Sequence, residues 1–147
     1  MSGGFVGDRM AVAIRADGHG DVTGSHVLWR YKWNSFEVPS PLVYGGAFFL
    51  MDNGGILRTI DQMTGEVLKE GRVREAIDTF YASPVVADGR VYFVSETGKV
   101  AVVTAGGQWE TVAVSDLGEP AYATPAIVDG SIYLRTETAL YSFHKPN

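Results

Sequence analysis

The chain has 147 residues, 46% of them hydrophobic, with 12 Lys and Arg against 17 Asp and Glu and a formal net charge of -5. This balance, without a run of basic residues, argues against a nucleic-acid partner. The absence of cysteine excludes disulfides and thiolate chemistry, and neither a membrane span nor a signal peptide is predicted for this chain.

Two strands are predicted first, Met10 to Arg15 and His26 to Lys32, joined by a polar loop that contains Asp17-Gly18-His19-Gly20-Asp21. Two carboxylates in a glycine-rich turn are compatible with calcium, whose ligands are oxygen atoms. The loop lacks the further acidic ligands of a calcium loop, so a solvated connection is favoured. His19, His26 and His144 show no paired zinc spacing. No metal site is therefore predicted.

The segment Ser40 to Leu50 recurs without gaps at Ser83 to Phe93 and at Thr124 to Leu134. The starts lie 43 and 41 residues apart, within the ~40–45 residue period of a four-stranded propeller blade. Each copy begins with Ser/Thr-Pro and a short apolar run. We predict that a strand begins there, because proline suits the first residue of a strand. A tight turn that accepts positive φ follows in each copy: Gly45-Gly46, Asp88-Gly89 and Asp129-Gly130.

Each tight turn leads into a second strand, another turn and a third strand. In the first two copies a fourth strand is predicted, Val67 to Val73 and Trp109 to Val114. Together these elements predict an all-β fold, a partial β-propeller of about three and a half four-stranded antiparallel blades. A closed ring of seven or eight blades would need ~300 residues or more at this period.

We predict one partial propeller domain over residues 1–147. Its parts are an incomplete blade at 7–33, blades at 38–74 and 81–116, and a last blade at 122–144 that lacks its fourth strand. The open edges of the first and last parts are templates for pairing. The expected partners are therefore another copy of the chain or the missing blades.

These units resemble those of the pyrroloquinoline quinone-like propeller repeat family, which includes quinoprotein dehydrogenases and non-catalytic outer-membrane assembly lipoproteins. The resemblance covers nearly the whole chain and implies the C-terminal portion of a propeller. It also implies a periplasmic or extracellular location. Blades of this family often carry Asp-x-x-Thr-Gly-x-x-x-Trp, in which the turn links the third strand to the fourth and the tryptophan packs between blades.

Two segments match that docking motif. Asp21, Thr23, Gly24 and Trp29 lie in the first, and Asp61, Thr64 and Gly65 lie in the second, which has Lys69 at the tryptophan position. Aspartate and threonine can bond nearby amides, glycine accepts positive φ, and tryptophan buries a large apolar plate. We therefore predict structural roles for these residues. In the copy that begins at Ser83, the turn between the third and fourth strands has Ala105-Gly106-Gly107-Gln108-Trp109 instead.

No catalytic residue and no cofactor are predicted. The resemblance implies that a quinone-dependent enzyme would need calcium, a catalytic aspartate and, in many members, neighbouring cysteines, and no aspartate here can be matched to the catalytic one. Ser40, Ser83 and Ser95 lack the strand-turn-helix setting of a hydrolase nucleophile.

The least repetitive connection, Glu75 to Tyr81, ends in Phe80 and Tyr81 and is the predicted contact loop for a protein partner. The leading hypothesis is a non-catalytic propeller segment that acts as a protein-interaction scaffold in a larger or self-assembling propeller. Two alternatives stay open: the C-terminal part of a pyrroloquinoline quinone-dependent dehydrogenase, and a self-assembling structural unit.

Overall fold

The computed structural model describes residues 10–32 and 39–144, which form thirteen β-strands in four antiparallel sheets. The first sheet has two strands, β1 (Met10–Ile14) and β2 (Val27–Lys32). The last has three, β11 (Ala126–Val128), β12 (Ser131–Arg135) and β13 (Leu140–His144). The described residues contain no helix and hence no apolar membrane-spanning helix.

Two complete four-stranded sheets lie between them. One contains β3 (Leu42–Tyr44), β4 (Ala47–Asp52), β5 (Ile56–Asp61) and β6 (Val67–Arg72). The other contains β7 (Val85–Ala87), β8 (Arg90–Val94), β9 (Lys99–Thr104) and β10 (Thr111–Asp116). In each sheet the spatial order follows the chain order, as in a meander. The fold is therefore all-β, a partial β-propeller, as the repeat predicts.

The hairpins that join the first two strands of each unit turn sharply. Gly45 and Gly46 have φ of 58° and 82°, and Asp88 and Gly89 have 47° and 69°. Asp129 and Gly130 repeat this with 49° and 72°. Two consecutive positive φ angles are the geometry of a type I′ turn, whose twist matches that of the flanking strands.

One strand begins later than predicted. The fourth strand of the second copy, β10, starts at Thr111, whereas the prediction started it at Trp109. The turn closes with a hydrogen bond from the Thr104 amide to the Glu110 carbonyl, and Trp109 lies within that turn, buried against Gly71. Packing of a large ring against the neighbouring sheet therefore takes the residue out of the ladder.

The core lies between the sheets. The largest cluster joins β3–β6 to β7–β10 and includes Phe49, Leu57, Val91, Phe93 and Val103, each at most 1% exposed. A smaller cluster joins β1–β2 to β3–β6, and a third joins β7–β10 to β11–β13. Strand pairing places Phe48 and Ile60 on one face of their sheet and Phe49 and Thr59 on the other, so each complete sheet packs on both sides.

Candidate functional site

The two segments matching the docking motif form aspartate-closed turns. Asp61 Oδ1 accepts hydrogen bonds from the amides of Met63 and Thr64, both at 2.8 Å. These bonds, first that from Thr64, lower the pKa of Asp61. Asp21 Oδ1 accepts the Thr23 amide at 3.0 Å, and this bond likewise lowers the pKa of Asp21. Stabilising the charged carboxylate by amide donors is the physical cause in both cases.

Trp29 links one sheet to the next. Its side chain is buried, its indole Nε1 donates to the Gln62 carbonyl at 2.9 Å, and its ring meets Phe48 edge to face at 5.0 Å. Gly65, with a φ of 77°, lies directly under the ring, where a Cβ would be 2.6 Å from Trp29 Cγ. The tryptophan of one turn motif thus packs on the turn of the following motif.

Lys69 occupies the corresponding place in the next sheet and makes a different contact. Its ammonium donates to the Trp109 carbonyl and lies 4.6 Å from the centroid of the Trp109 ring, within cation–π distance. Buried Thr59 also donates to the Gly107 carbonyl at 2.5 Å. The sheet β7–β10 therefore docks through the tryptophan of its own turn, although that turn lacks the aspartate.

A chain of hydroxyl contacts runs through the Ser/Thr-Pro units. The Ser40 amide donates to Ser83 Oγ at 3.1 Å, and the Ser83 amide donates to Thr124 Oγ1 at 3.1 Å. Because these residues precede the first strands β3, β7 and β11, the contacts align the first strands of successive sheets. The hydroxyl at this position is a structural group, which the sequence repeat did not reveal.

A second recurring contact also escaped the sequence interpretation. Asp78 Oδ2 accepts from the amide and the hydroxyl of Thr97, and Glu119 Oε2 accepts from the amide and the hydroxyl of Thr138, the latter at 2.5 Å. Asp78 and Glu119 are 41 positions apart, as are Thr97 and Thr138. Extending the repeat comparison to the connecting loops would have found this acid–threonine clamp.

The acid of the second clamp is strongly perturbed. Hydrogen bonds from Thr138 and then Tyr141 lower the pKa of Glu119 from 4.5 to about 2. Tyr141 donates its hydroxyl to Glu119 Oε1 at 2.6 Å, and this bond raises the pKa of Tyr141. The clamp ties the loop that enters the last sheet to the turn between β12 and β13.

Contacts between loops define two ends of the sheets. The hairpin at Gly46 bonds the turn at Gln62, and the hairpin at Gly89 bonds Ala105, so these lie at one end. At the other end, the connecting loops bond the second turns, since Glu96 donates to the Thr79 carbonyl and Ala121 donates to the Glu96 carbonyl. We call this second end the loop face.

Of the two aromatic residues predicted for the contact loop, Tyr81 is accessible and Phe80 is buried. Phe80 is only 1% exposed and packs in the largest core cluster, so it is not an accessible contact residue. A bulky ring beside a bridge to Ser95 is drawn into the sheet interface. Tyr81 is 39% exposed, and Tyr122, one repeat later, is 55% exposed with its ring centroid 5.9 Å away.

Tyr122 borders a small cavity of about 210 Å³, which is also lined by Ala123, Arg135, Thr136 and Glu137. The Tyr122 hydroxyl lies 3.4 Å from Glu96 Oε1. Burial, followed by the charge of Glu96, raises the pKa of Tyr122, so the hydroxyl stays protonated as a donor. Aromatic rings with polar tips suit contact with another protein.

The calcium alternative for the first loop gains no support from the described residues. Asp17 lies 3.4 Å from Arg15 and 3.6 Å from His26 Nε2, whereas Asp21 caps its own turn. Within 10–32 and 39–144, no group of three or more His, Asp or Glu side chains is arranged to hold a metal ion.

Comparison with known proteins gives consistent matches. A family model described as outer membrane protein assembly factor BamB matches residues 6–146. The factor of that name from Shewanella oneidensis is 35% identical over 77 residues, which cover 49% of this chain and 19% of that protein.

Among solved structures, BamB from Moraxella catarrhalis matches with a TM-score of 0.65 and 18% identity, over 80% of this chain and 36% of that one. A europium-containing methanol dehydrogenase matches with a TM-score of 0.51 and 16% identity, over 65% of this chain and 20% of that one. At these identities the structures show a shared fold. The chain spans little more than a third of the solved relative and about a fifth of the curated one.

Proposed function

Because the chain belongs to the family described as outer membrane protein assembly factor BamB, we propose that it is a non-catalytic β-propeller segment that acts as a protein-interaction scaffold. Family membership and the propeller fold support a scaffold in general terms. The finer proposal is that a protein taking part in outer membrane protein assembly binds the loop face.

The observation that carries this proposal is the pair Tyr81 and Tyr122. They come from equivalent positions of two successive connecting loops. Their ring centroids lie 5.9 Å apart, and both side chains are accessible. Tyrosine is enriched in protein interfaces because it combines contact area with a hydrogen-bond donor at low conformational entropy cost. The proposed contact surface thus keeps Tyr81 from the predicted contact loop and adds Tyr122 from the next connecting loop.

The loop face is also held rigidly. The acid–threonine clamps at Asp78 and Glu119 fix the two connecting loops to the turns of their sheets. A preformed surface loses less conformational entropy when a partner binds. This arrangement favours recognition by a stable face over folding of a loop upon binding.

The dehydrogenase alternative has no comparable support. The methanol dehydrogenase match concerns the fold, and one fold hosts many functions. Self-assembly through the open edges stays a prediction, with the solution mass as its direct measurement.

The test is site-specific photo-crosslinking in cells that make this protein. A photoreactive phenylalanine analogue replaces Tyr81, Tyr122 or Tyr44. Tyr44 is the matched control, because it is 42% exposed and lies beside the hairpin at the opposite end of its sheet.

We expect Tyr81 and Tyr122 to yield the same cross-linked protein, identified by mass spectrometry as a component of outer membrane protein assembly, and Tyr44 to yield none. Cross-linking from Tyr44 alone would contradict the proposed face. A partner unrelated to that assembly would contradict the proposed process.

A further inference from the structure

Strand β10 is the outer strand of a complete sheet, and one of its edges is open. Among the described strands it pairs with β9 alone. Thr111, Val112, Ala113 and Ser115 are all exposed, Val112 by 48%. The edge therefore presents backbone amides and carbonyls that are available to another strand.

Residues 111–115 of β10 lack the side chains that discourage such pairing, although a register shift between Thr111 and Ala113 places Val112 at an irregularity of the strand. Natural edge strands usually carry lysine, other charges or proline, which discourage pairing with foreign chains. Strand β6, the outer strand of the preceding sheet, has Lys69, Glu70 and Arg72. By contrast, residues 111–115 of β10 contain no charge and no proline, and they are threonine, valine, alanine, valine and serine.

Both ends of this uncharged stretch carry carboxylates. Glu110 precedes it and Asp116 follows it, and both residues are exposed. In antiparallel pairing with a second copy centred on Ala113, each Glu110 would face Asp116 of the other copy. Like charges placed directly opposite each other destabilise a strand pair. The end charges thus disfavour self-pairing and favour a strand with basic ends.

We propose that β10 is a docking edge for an extended segment of a partner protein, one with threonine or valine at its centre, because β-branched residues favour strands, and with lysine or arginine at both ends. The segment adds a fifth strand to the sheet β7–β10. Main-chain hydrogen bonds supply affinity, and the end charges supply orientation and selectivity. This edge does not depend on the tyrosine pair of the loop face.

The experiment measures binding of a fluorescent peptide with alternating threonine and valine and two lysines at each end. The binding protein is the full chain, and fluorescence anisotropy gives the affinity. Val112→Lys places a charge at the exposed position where the register of the edge strand shifts. Val67→Lys is the matched control, because Val67 is 44% exposed on the outer strand β6.

We expect Val112→Lys to weaken binding by about tenfold, which corresponds to ~1.4 kcal/mol. Val67→Lys and the Tyr81→Ala/Tyr122→Ala double variant should leave binding unchanged. A peptide with glutamates in place of the lysines should bind at least about tenfold more weakly. Hydrogen exchange should slow at amides of residues 111–115 when the lysine peptide binds.

Equal binding by the Val112→Lys variant, or protection elsewhere in the chain, would overturn the proposal. A concentration-dependent dimer that Val112→Lys dissolves would also overturn it, because the occupant would then be a second copy. Circular dichroism confirms that each variant is folded. Loss of the tyrosine cross-links with intact peptide binding would refute only the loop-face proposal.

Discussion

The two interfaces on either side of the sheet β3–β6 differ sharply. Towards β7–β10, two complete sheets meet, and Phe49, Leu57, Val91 and Phe93 are all but inaccessible. Towards β1–β2, the described residues supply two strands, and the buried set is the smaller cluster of Ala11, Ala13, Trp29, Leu50 and Ile60. The same sheet therefore has a full core on one face and a partial core on the other.

This partly covered face of β3–β6 borders a groove. Beside β1 an open apolar cavity of about 870 Å³ is lined by residues of both sheets, among them Val12, Ile14, Val43 and Phe48. Val43 is 46% exposed, whereas Val86, its equivalent one unit later, packs against the main core. In the part of the chain that the structure describes, β1 and β2 therefore dock on β3–β6 through a smaller buried set that includes Trp29.

We expect the greatest loss of stability when alanine replaces one of two neighbouring phenylalanines on opposite faces of β4. Phe49→Ala removes a ring that is 0% exposed from the complete interface and should cost about 3–5 kcal/mol of unfolding free energy. Phe48→Ala acts on the partial interface and should cost roughly half as much. Urea denaturation of the two variants measures the difference. Equal losses would show that the two interfaces contribute equally.

The next effect concerns the tryptophan docking. Gly65→Ala places a Cβ 2.6 Å from Trp29 Cγ at a φ of 77°, and Gly89→Ala has a similar φ of 69° in open space. The left-handed conformation alone costs about 1–2 kcal/mol for alanine, so Gly65→Ala should cost clearly more than Gly89→Ala. Thermal unfolding and the fluorescence of Trp29 check this. Identical losses would mean that Trp29 does not constrain Gly65.

A smaller difference is expected for the two equivalent valines. Val86→Ala should cost about 1–2 kcal/mol because it removes methyl groups from a packed site. Val43→Ala, in the open groove, should change stability by less than about 0.5 kcal/mol. Denaturant titration of both variants decides the matter. A large loss for Val43→Ala would mean that the groove is covered in solution.

The smallest change that we expect is a dependence of stability on pH, which arises from Glu119 at the last sheet. The pKa of Glu119 is lowered to about 2 from 4.5, so its hydrogen bonds stabilise the fold above about pH 4.5. That contribution is lost as the pH falls from 4.5 towards 2. Thr138→Val should raise the pKa of Glu119 in a carboxyl NMR titration. A titration that does not move would exclude Thr138 as the main donor.

Local chemistry made much of this architecture predictable. Pairs such as Asp88-Gly89 accept positive φ without tertiary help, so the hairpins and the repeat period could be identified from the residues. The aspartate turn at Asp61 is equally local, because its donors are two and three residues away. The burial of Phe80 could not be predicted, since a loop aromatic has no local feature that distinguishes a core position from a surface one.

The class of fold, the family resemblance and the turn positions follow from the residues alone, because they depend on short-range backbone preferences and on a regular period. The side-chain contacts across sheets follow from the packing of the folded chain: Trp29 on Gly65, Ser40 with Ser83, and Tyr81 beside Tyr122. Those contacts join residues about one repeat apart. Their geometry depends on how neighbouring sheets stack, which no local preference specifies.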